Sequence, residues 1–156
     1  MDKIGFWKVN EPYGEFSNWY MSNFKIANIK FISSEQALMY CKALYFRDKE
    51  TASKILEETN NKNIKVLGRQ VKNYKDLEWS VVRYPIMSVI LYHKFSQNES
   101  LKELLLSTKD ALLYEASPLD NIWGIGSTDI NDIKGQNLLG KALMETREKL
   151  YNGNSI

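Results

Sequence analysis

The chain has one cysteine, one histidine and three prolines in 156 residues, and each scarcity closes off a class of protein. A lone cysteine, Cys41, cannot close an internal disulfide, which fits a reducing compartment and not a disulfide-stapled scaffold. The lone histidine, His93, lies on an apolar run with no cysteine or carboxylate at metal-ligand spacing, so it reads as structural and no metal is expected. Long apolar runs are missing too: Tyr84 to His93 is far short of the roughly 20 residues a spanning helix needs. With no charged-then-apolar leader either, the expectation is a cytoplasmic protein without membrane contact, in which the Asn98-Glu99-Ser100 sequon is idle. Neither charge sign dominates. Twenty-one basic residues against 19 acidic leave +2, which does not suggest a protein coating a nucleic-acid backbone but leaves room for a pocket holding one or two phosphates. No Gly-rich P-loop and no dinucleotide fingerprint occur, and no cofactor is expected.

What is present suits one globular domain over residues 1–156. The hydrophobic share is 44% and the charged share 26%, so disorder is not the default. Short strands are expected at Ile4 to Val9, Phe24 to Phe31 and Ala111 to Ala116. Ser33 with Gln36 three residues on makes a capping box for a helix running to about Arg47. Further helices are expected near 51–59, 64–73, 77–95 (kinked or split at Pro85), 99–107 and 137–150. Helices outnumber strands without regular alternation, which predicts an α+β fold with several helices around a small sheet. Leu138, Leu139, Ala142, Leu143 and Leu150 form a core stripe on the last helix.

Two segments carry candidate chemistry. On the helix after Ser33, Glu35, Met39, Lys42 and Phe46 share one stripe, and the rest of the surface is apolar almost all round. A buried helix holding a carboxylate and an ammonium two turns apart must pair them or use them. The bland alternative has Glu35 favouring the helix dipole and Lys42 snorkelling to solvent. The second segment, Glu115-Ala-Ser-Pro-Leu-Asp120-Asn-Ile-Trp123-Gly124-Ile-Gly126, puts a carboxylate, an aromatic and two glycines at a strand end. Gly124 would let backbone approach a ligand and Trp123 could stack on a flat heterocycle; a turn with a core Trp fits as well. Cys41 has no histidine placed to activate it and reads as a small hydrophobe.

Several motifs in order resemble one family. Phe16-Ser-Asn-Trp-Tyr20, Ser33-Ser-Glu-Gln-Ala37, Lys42-Ala-Leu, Leu67-Gly-Arg69, Lys94-Phe-Ser-Gln-Asn98, Glu115 to Gly126, and Gly135-Gln-Asn-Leu-Leu-Gly-Lys-Ala-Leu-Met-Glu145 with Arg147 resemble the NADAR family from Ile4 to Leu150. That family includes N-glycosidases of early riboflavin-pathway intermediates and enzymes that remove ADP-ribose from modified guanine. Two departures stand out. Gln36 replaces a frequent histidine, which argues against imidazole acid–base work there, and Ile133-Lys134 replaces a frequent tryptophan, which is expected to alter one pocket wall.

The resemblance implies a metal-independent N-glycosidase acting on a small phosphorylated nucleotide-like substrate. The alternatives are removal of ADP-ribose from guanine in nucleic acid or nucleotide, and a non-catalytic nucleotide-binding module that would tolerate loss of Glu35. Breaking a ribose C1′–N bond needs negative charge near C1′, a proton for the departing nitrogen and an activated water or nucleophile. Glu35 and Asp120 are the expected carboxylate pair. Lys42 is expected either as an amine attacking ring-opened ribose or as a phosphate ligand. Arg69 is expected on phosphate, Trp123 on the base, and Trp19 and Tyr20 as pocket walls. Gly135 to Asn137 opens the last helix, whose N–H groups would make an anion site, with Asn137 as its N-cap.

Overall fold

The structure, a computed structural model, describes residues 2–153. In chain order it runs β1 (Lys3–Phe6), a 3-10 turn (Gly14–Phe16), β2 (Phe24–Ile26), β3 (Ile29–Phe31), α1 (Ser34–Tyr45), α2 (Lys49–Glu57), α3 (Asn61–Arg69), α4 (Asp76–Ser96), α5 (Glu99–Ser107), β4 (Leu112–Glu115) and α6 (Leu138–Tyr151). This is an α+β fold. Its strands make two separate two-stranded sheets among the described residues, where one small sheet was expected. The chain divides into two compact units, Met21–Lys94 and the residues on either side of it.

In the Met21–Lys94 unit, the expected single strand Phe24 to Phe31 folds back on itself. Ala27 and Asn28 both take positive φ (51° and 69°), the conformation of a tight hairpin turn, and Phe24 pairs with Phe31 and Ile26 with Ile29. Ser33 caps α1 as expected, its Oγ accepting from the Gln36 amide at 3.1 Å. The helix is buried through Leu38 and Ala43, but its last turn surfaces at Leu44 and Tyr45, where the Tyr45 hydroxyl reaches Glu78 at 3.3 Å. α2 starts at the cap Asp48. α3 starts three residues earlier than expected because the Asn60 side chain accepts from Lys62 and Asn63. α1 packs on both α2 and α3. α3 comes close to α1 at Gly68, where a Cβ would overlap Met39 Sδ. α4 continues through Pro85 without a break. Pro85 and Val81, whose carbonyl loses its usual donor, both lie on exposed positions where water can take the bond.

In the other unit, β1 pairs in parallel with β4, from Lys3 opposite Leu112 to Phe6 opposite Glu115. α6 lies on β4 through its buried Leu139, Ala142, Leu143 and Leu150, and α5 packs on α6. Phe16 is fully buried, with its ring 5.7 Å from Phe6, 5.6 Å from Tyr13 and 6.0 Å from Phe95.

Candidate active site

α1 and α3 assemble three of the expected residues. Glu35 sits in the first turn of α1, only 8% exposed, where the helix dipole favours its charge. Lys42, two turns on, is half-buried; its Nζ donates to the Gly68 carbonyl at 2.8 Å and lies 4.6 Å from the centre of the Tyr74 ring. Burial pushes the Lys42 amine below its usual range, the Glu35 carboxylate pulls it back up, and nearby Arg69 pushes it down again. Arg69 ends α3 and is exposed. The snorkelling alternative for Lys42 thus gives way to a held ammonium within electrostatic reach of both Glu35 and Arg69. Tyr74, which the sequence did not single out, completes this arrangement. Its hydroxyl donates to Asp76 Oδ1 at 2.7 Å, and partial burial together with that carboxylate raises the phenol to about 12.

Gln36 explains one departure from the family pattern. It is 2% exposed; its Oε1 accepts from the Ile32 amide at 2.9 Å and its Nε2 donates to the carbonyls of Ile55, Leu56 and Glu58 at 3.1, 3.3 and 3.2 Å. The side chain ties α1 to the end of α2 and leaves nothing over for proton transfer. Cys41 has its thiol raised by burial, which keeps it protonated and unreactive.

The remaining expected residues belong to the other unit. Asp120 Oδ1 accepts from the amides of both Ile122 and Trp123 at 2.9 Å, and the Asp120 carbonyl accepts from Gly126 at 3.1 Å. Asp120 therefore shapes its own loop with one carboxylate oxygen. Trp123 is half-buried, Tyr20 is half-buried and Trp19 is 38% exposed. Gly124 is buried, and a Cβ there would stand 2.8 Å from the Asp120 carbonyl oxygen and 2.9 Å from that of Glu115.

The expected anion site at the start of α6 is not available. Its first amides are already bonded: Asn137 to the Gly124 carbonyl at 3.0 Å, Leu138 to Ile122 at 3.1 Å and Leu139 to Trp123 at 3.0 Å. Nor does Asn137 cap the helix with its side chain. It takes a left-handed backbone (φ 54°) and turns its amide onto β4, accepting from the Glu115 N–H at 3.0 Å and donating to the Leu113 carbonyl at 2.9 Å. Asn137 imitates a third strand beside β4, with both polar atoms occupied by backbone. Gly140 makes room for this, since any Cβ there would overlap the Leu113 carbonyl and the Asn137 amide.

Volume does not mark the site. A cavity of about 1030 Å³ between α5 and α6 is lined by Leu106, Lys109, Met144 and Arg147 and holds none of the expected residues. Its Arg147 is already committed to Thr108 Oγ1 at 2.8 Å and the Ala111 carbonyl at 2.9 Å. Ionisable groups held under electrostatic load are the better guide to chemistry. Among the described residues no three His, Cys, Asp or Glu side chains gather to hold a metal, and no helix is long and apolar enough to cross a membrane.

The buried face of α4 carries two cations that sequence reasoning gave no role. Lys94 is fully buried, and Arg83 is 9% exposed between the buried Trp79 and Met87 at one-turn spacing. The signal was present as charges on an otherwise apolar stripe.

Known proteins place the chain. The NADAR domain pattern matches residues 5–151. An N-glycosidase of Acanthamoeba polyphaga mimivirus is 40% identical over 146 residues, 86% of each chain. A riboflavin biosynthesis protein of Vibrio vulnificus is 32% identical over 147 residues, which is 94% of this chain and 38% of that protein. The NMR structure of the E. coli protein YbiA shares the fold with a TM-score of 0.85 at 30% identity, over 98% of this chain and 87% of that one. The chain belongs to the NADAR family.

Proposed function

We propose that the chain is an N-glycosidase that hydrolyses the ribose C1′–N bond of a phosphorylated nucleotide-like substrate, in the class of ribosylamino-pyrimidine phosphates. The observation that carries this reading is Glu35, nearly buried in the first turn of α1 and within electrostatic reach of a half-buried Lys42. In the reaction the C1′–N bond breaks, the departing nitrogen gains a proton, and a water oxygen ends on C1′. Positive charge builds at C1′ on the way, so a poorly solvated carboxylate stabilises it or takes the proton from the attacking water. Glu35 fills that role.

Lys42 has one of two rival uses in this reading. Its amine, lowered by burial, is available to attack C1′ of an opened ribose; the base amine then leaves and water releases the sugar. As the ammonium, it helps Arg69 hold phosphate. In the other unit, Asp120 keeps one carboxylate oxygen that its loop does not use, and Trp123 offers a flat face to a heterocycle. The relatives named N-glycosidase and riboflavin biosynthesis protein support the reaction and the substrate class.

The test incubates the protein with a ribosylamino-pyrimidine phosphate and, separately, with ADP-ribosylated guanine, and follows released base and sugar phosphate by mass spectrometry. Release from the first substrate is expected, and it should survive dialysis against a chelator. Release from ADP-ribosyl-guanine alone would reassign the substrate. Binding without release from either would make the chain a non-catalytic nucleotide-binding module.

A further inference from the structure

Burying a guanidinium Nε without an acceptor is costly, and α4 does so at Arg83. Its Nε is shielded from solvent and meets no hydrogen-bond acceptor among the described residues. Arg83 is within electrostatic reach of Tyr74, the ring that lies 4.6 Å from Lys42 Nζ, and Lys42 in turn is within reach of Arg69. Lys42, held on the Gly68 carbonyl and against the Tyr74 ring, thus links the electrostatic surroundings of Arg69 and Arg83. Glu35 and Asp76 are the carboxylates within electrostatic reach of Lys42, and Asp76 Oδ1 is already taken by the Tyr74 hydroxyl. A grouping with surplus positive charge, one member of it nearly buried, is unfavourable by itself and becomes favourable when an anion joins it.

We propose that Arg83 is the buried anchor of a phosphoryl subsite, completed by Lys42 and Arg69, that holds the phosphate of the substrate. A guanidinium offers Nε and one Nη side by side, matching two oxygens of a phosphate, and the ligand supplies the acceptor that the fold withholds. The subsite rests on the reading of the substrate as phosphorylated. Ribose 5-phosphate and the diphosphate of ADP-ribose share this chemistry, so both serve as probes.

Isothermal titration of ribose 5-phosphate, ADP-ribose and unphosphorylated ribose into wild-type protein and Arg83→Met tests it. Wild-type protein should bind at least one phosphorylated probe far more tightly than ribose. Arg83→Met should weaken that binding by about tenfold or more, the scale of a lost charge-assisted pair, with a melting temperature unchanged or raised because an uncompensated buried charge is gone. A folded Arg83→Met protein that binds the phosphorylated probes as wild type does would overturn the proposal. Should Arg83→Met not fold, Arg83→Lys keeps the charge but loses the fork; weakened binding supports the subsite, and unchanged binding overturns it. Turnover separates the two readings. Phosphate binding that depends on Arg83 without any base release sinks the glycosidase and leaves the subsite. Base release with equal kcat/KM for phosphorylated and dephosphorylated substrate sinks the subsite and leaves the glycosidase.

Discussion

The loop from Glu115 to Asn137 and the helices α1, α3 and α4 differ in how they hold several of their polar side chains. The loop turns Asp120 and Asn137 on backbone, its own or that of β4. Asp120 accepts two amides, Asn137 brackets β4, and the first amides of α6 are taken by loop carbonyls. The helices instead hold charge in poor solvent: Glu35 and Arg83 nearly buried, Lys42 half-buried over an aromatic ring. A polar residue answered by backbone stabilises the fold, whereas a charge held in poor solvent costs stability and is a candidate for chemistry. The two regions should therefore fail differently when mutated, one in stability and the other in turnover or binding.

The sharpest break on the loop side is Asn137→Ala. It removes one buried and one part-buried hydrogen bond and strands the Glu115 N–H and the Leu113 carbonyl, an expected loss of roughly 2–4 kcal/mol in urea unfolding. Turnover per folded molecule should change little, and a large loss of turnover in a variant of normal stability would return Asn137 to the substrate. Trp123→Ala decides which side Trp123 belongs to. Stacking on the base predicts about 1–3 kcal/mol of lost binding, whereas a core role predicts roughly 3–5 kcal/mol of lost stability. Titration and melting on the same sample separate these.

Smaller still is the contribution of Asp48, which caps α2. Its carboxylate accepts from the Lys72 amide at 2.9 Å, the Thr51 hydroxyl at 2.6 Å and the Thr51 amide at 3.1 Å, and these bonds hold it below the usual carboxylate range. A carboxyl that is more acidic in the folded state stabilises at pH above its unfolded value of about 4, and that stabilisation is lost as pH falls through the lower folded value. Asp48→Ala should cost about 1 kcal/mol near neutral pH, the usual worth of a cap, and flatten the acid limb of the stability curve. An acid limb identical to wild type would show that Asp48 is not its source.

The sequence made some of this legible and not the rest, for physical reasons. The start of α1 was readable because a capping box is local: Ser33 and Gln36 meet within one turn. The hairpin was not, since Ala27 is a poor marker for a positive-φ turn. Asn137 misled because an Asn before a helix usually caps it, while its real partners lie 22 and 24 residues back in β4. Glu35 and Lys42 stood out as charges on an apolar helix. Tyr74 could not, because only folding lays its ring beneath Lys42.

The most direct test of the central claim is the steady-state rate of Glu35→Gln on a ribosylamino-pyrimidine phosphate, measured alongside its melting curve. Gln keeps the shape and removes the charge, so the account predicts near wild-type melting, little change in KM and a kcat lower by at least about 10²-fold. A folded Glu35→Gln protein turning over at the wild-type rate would contradict it.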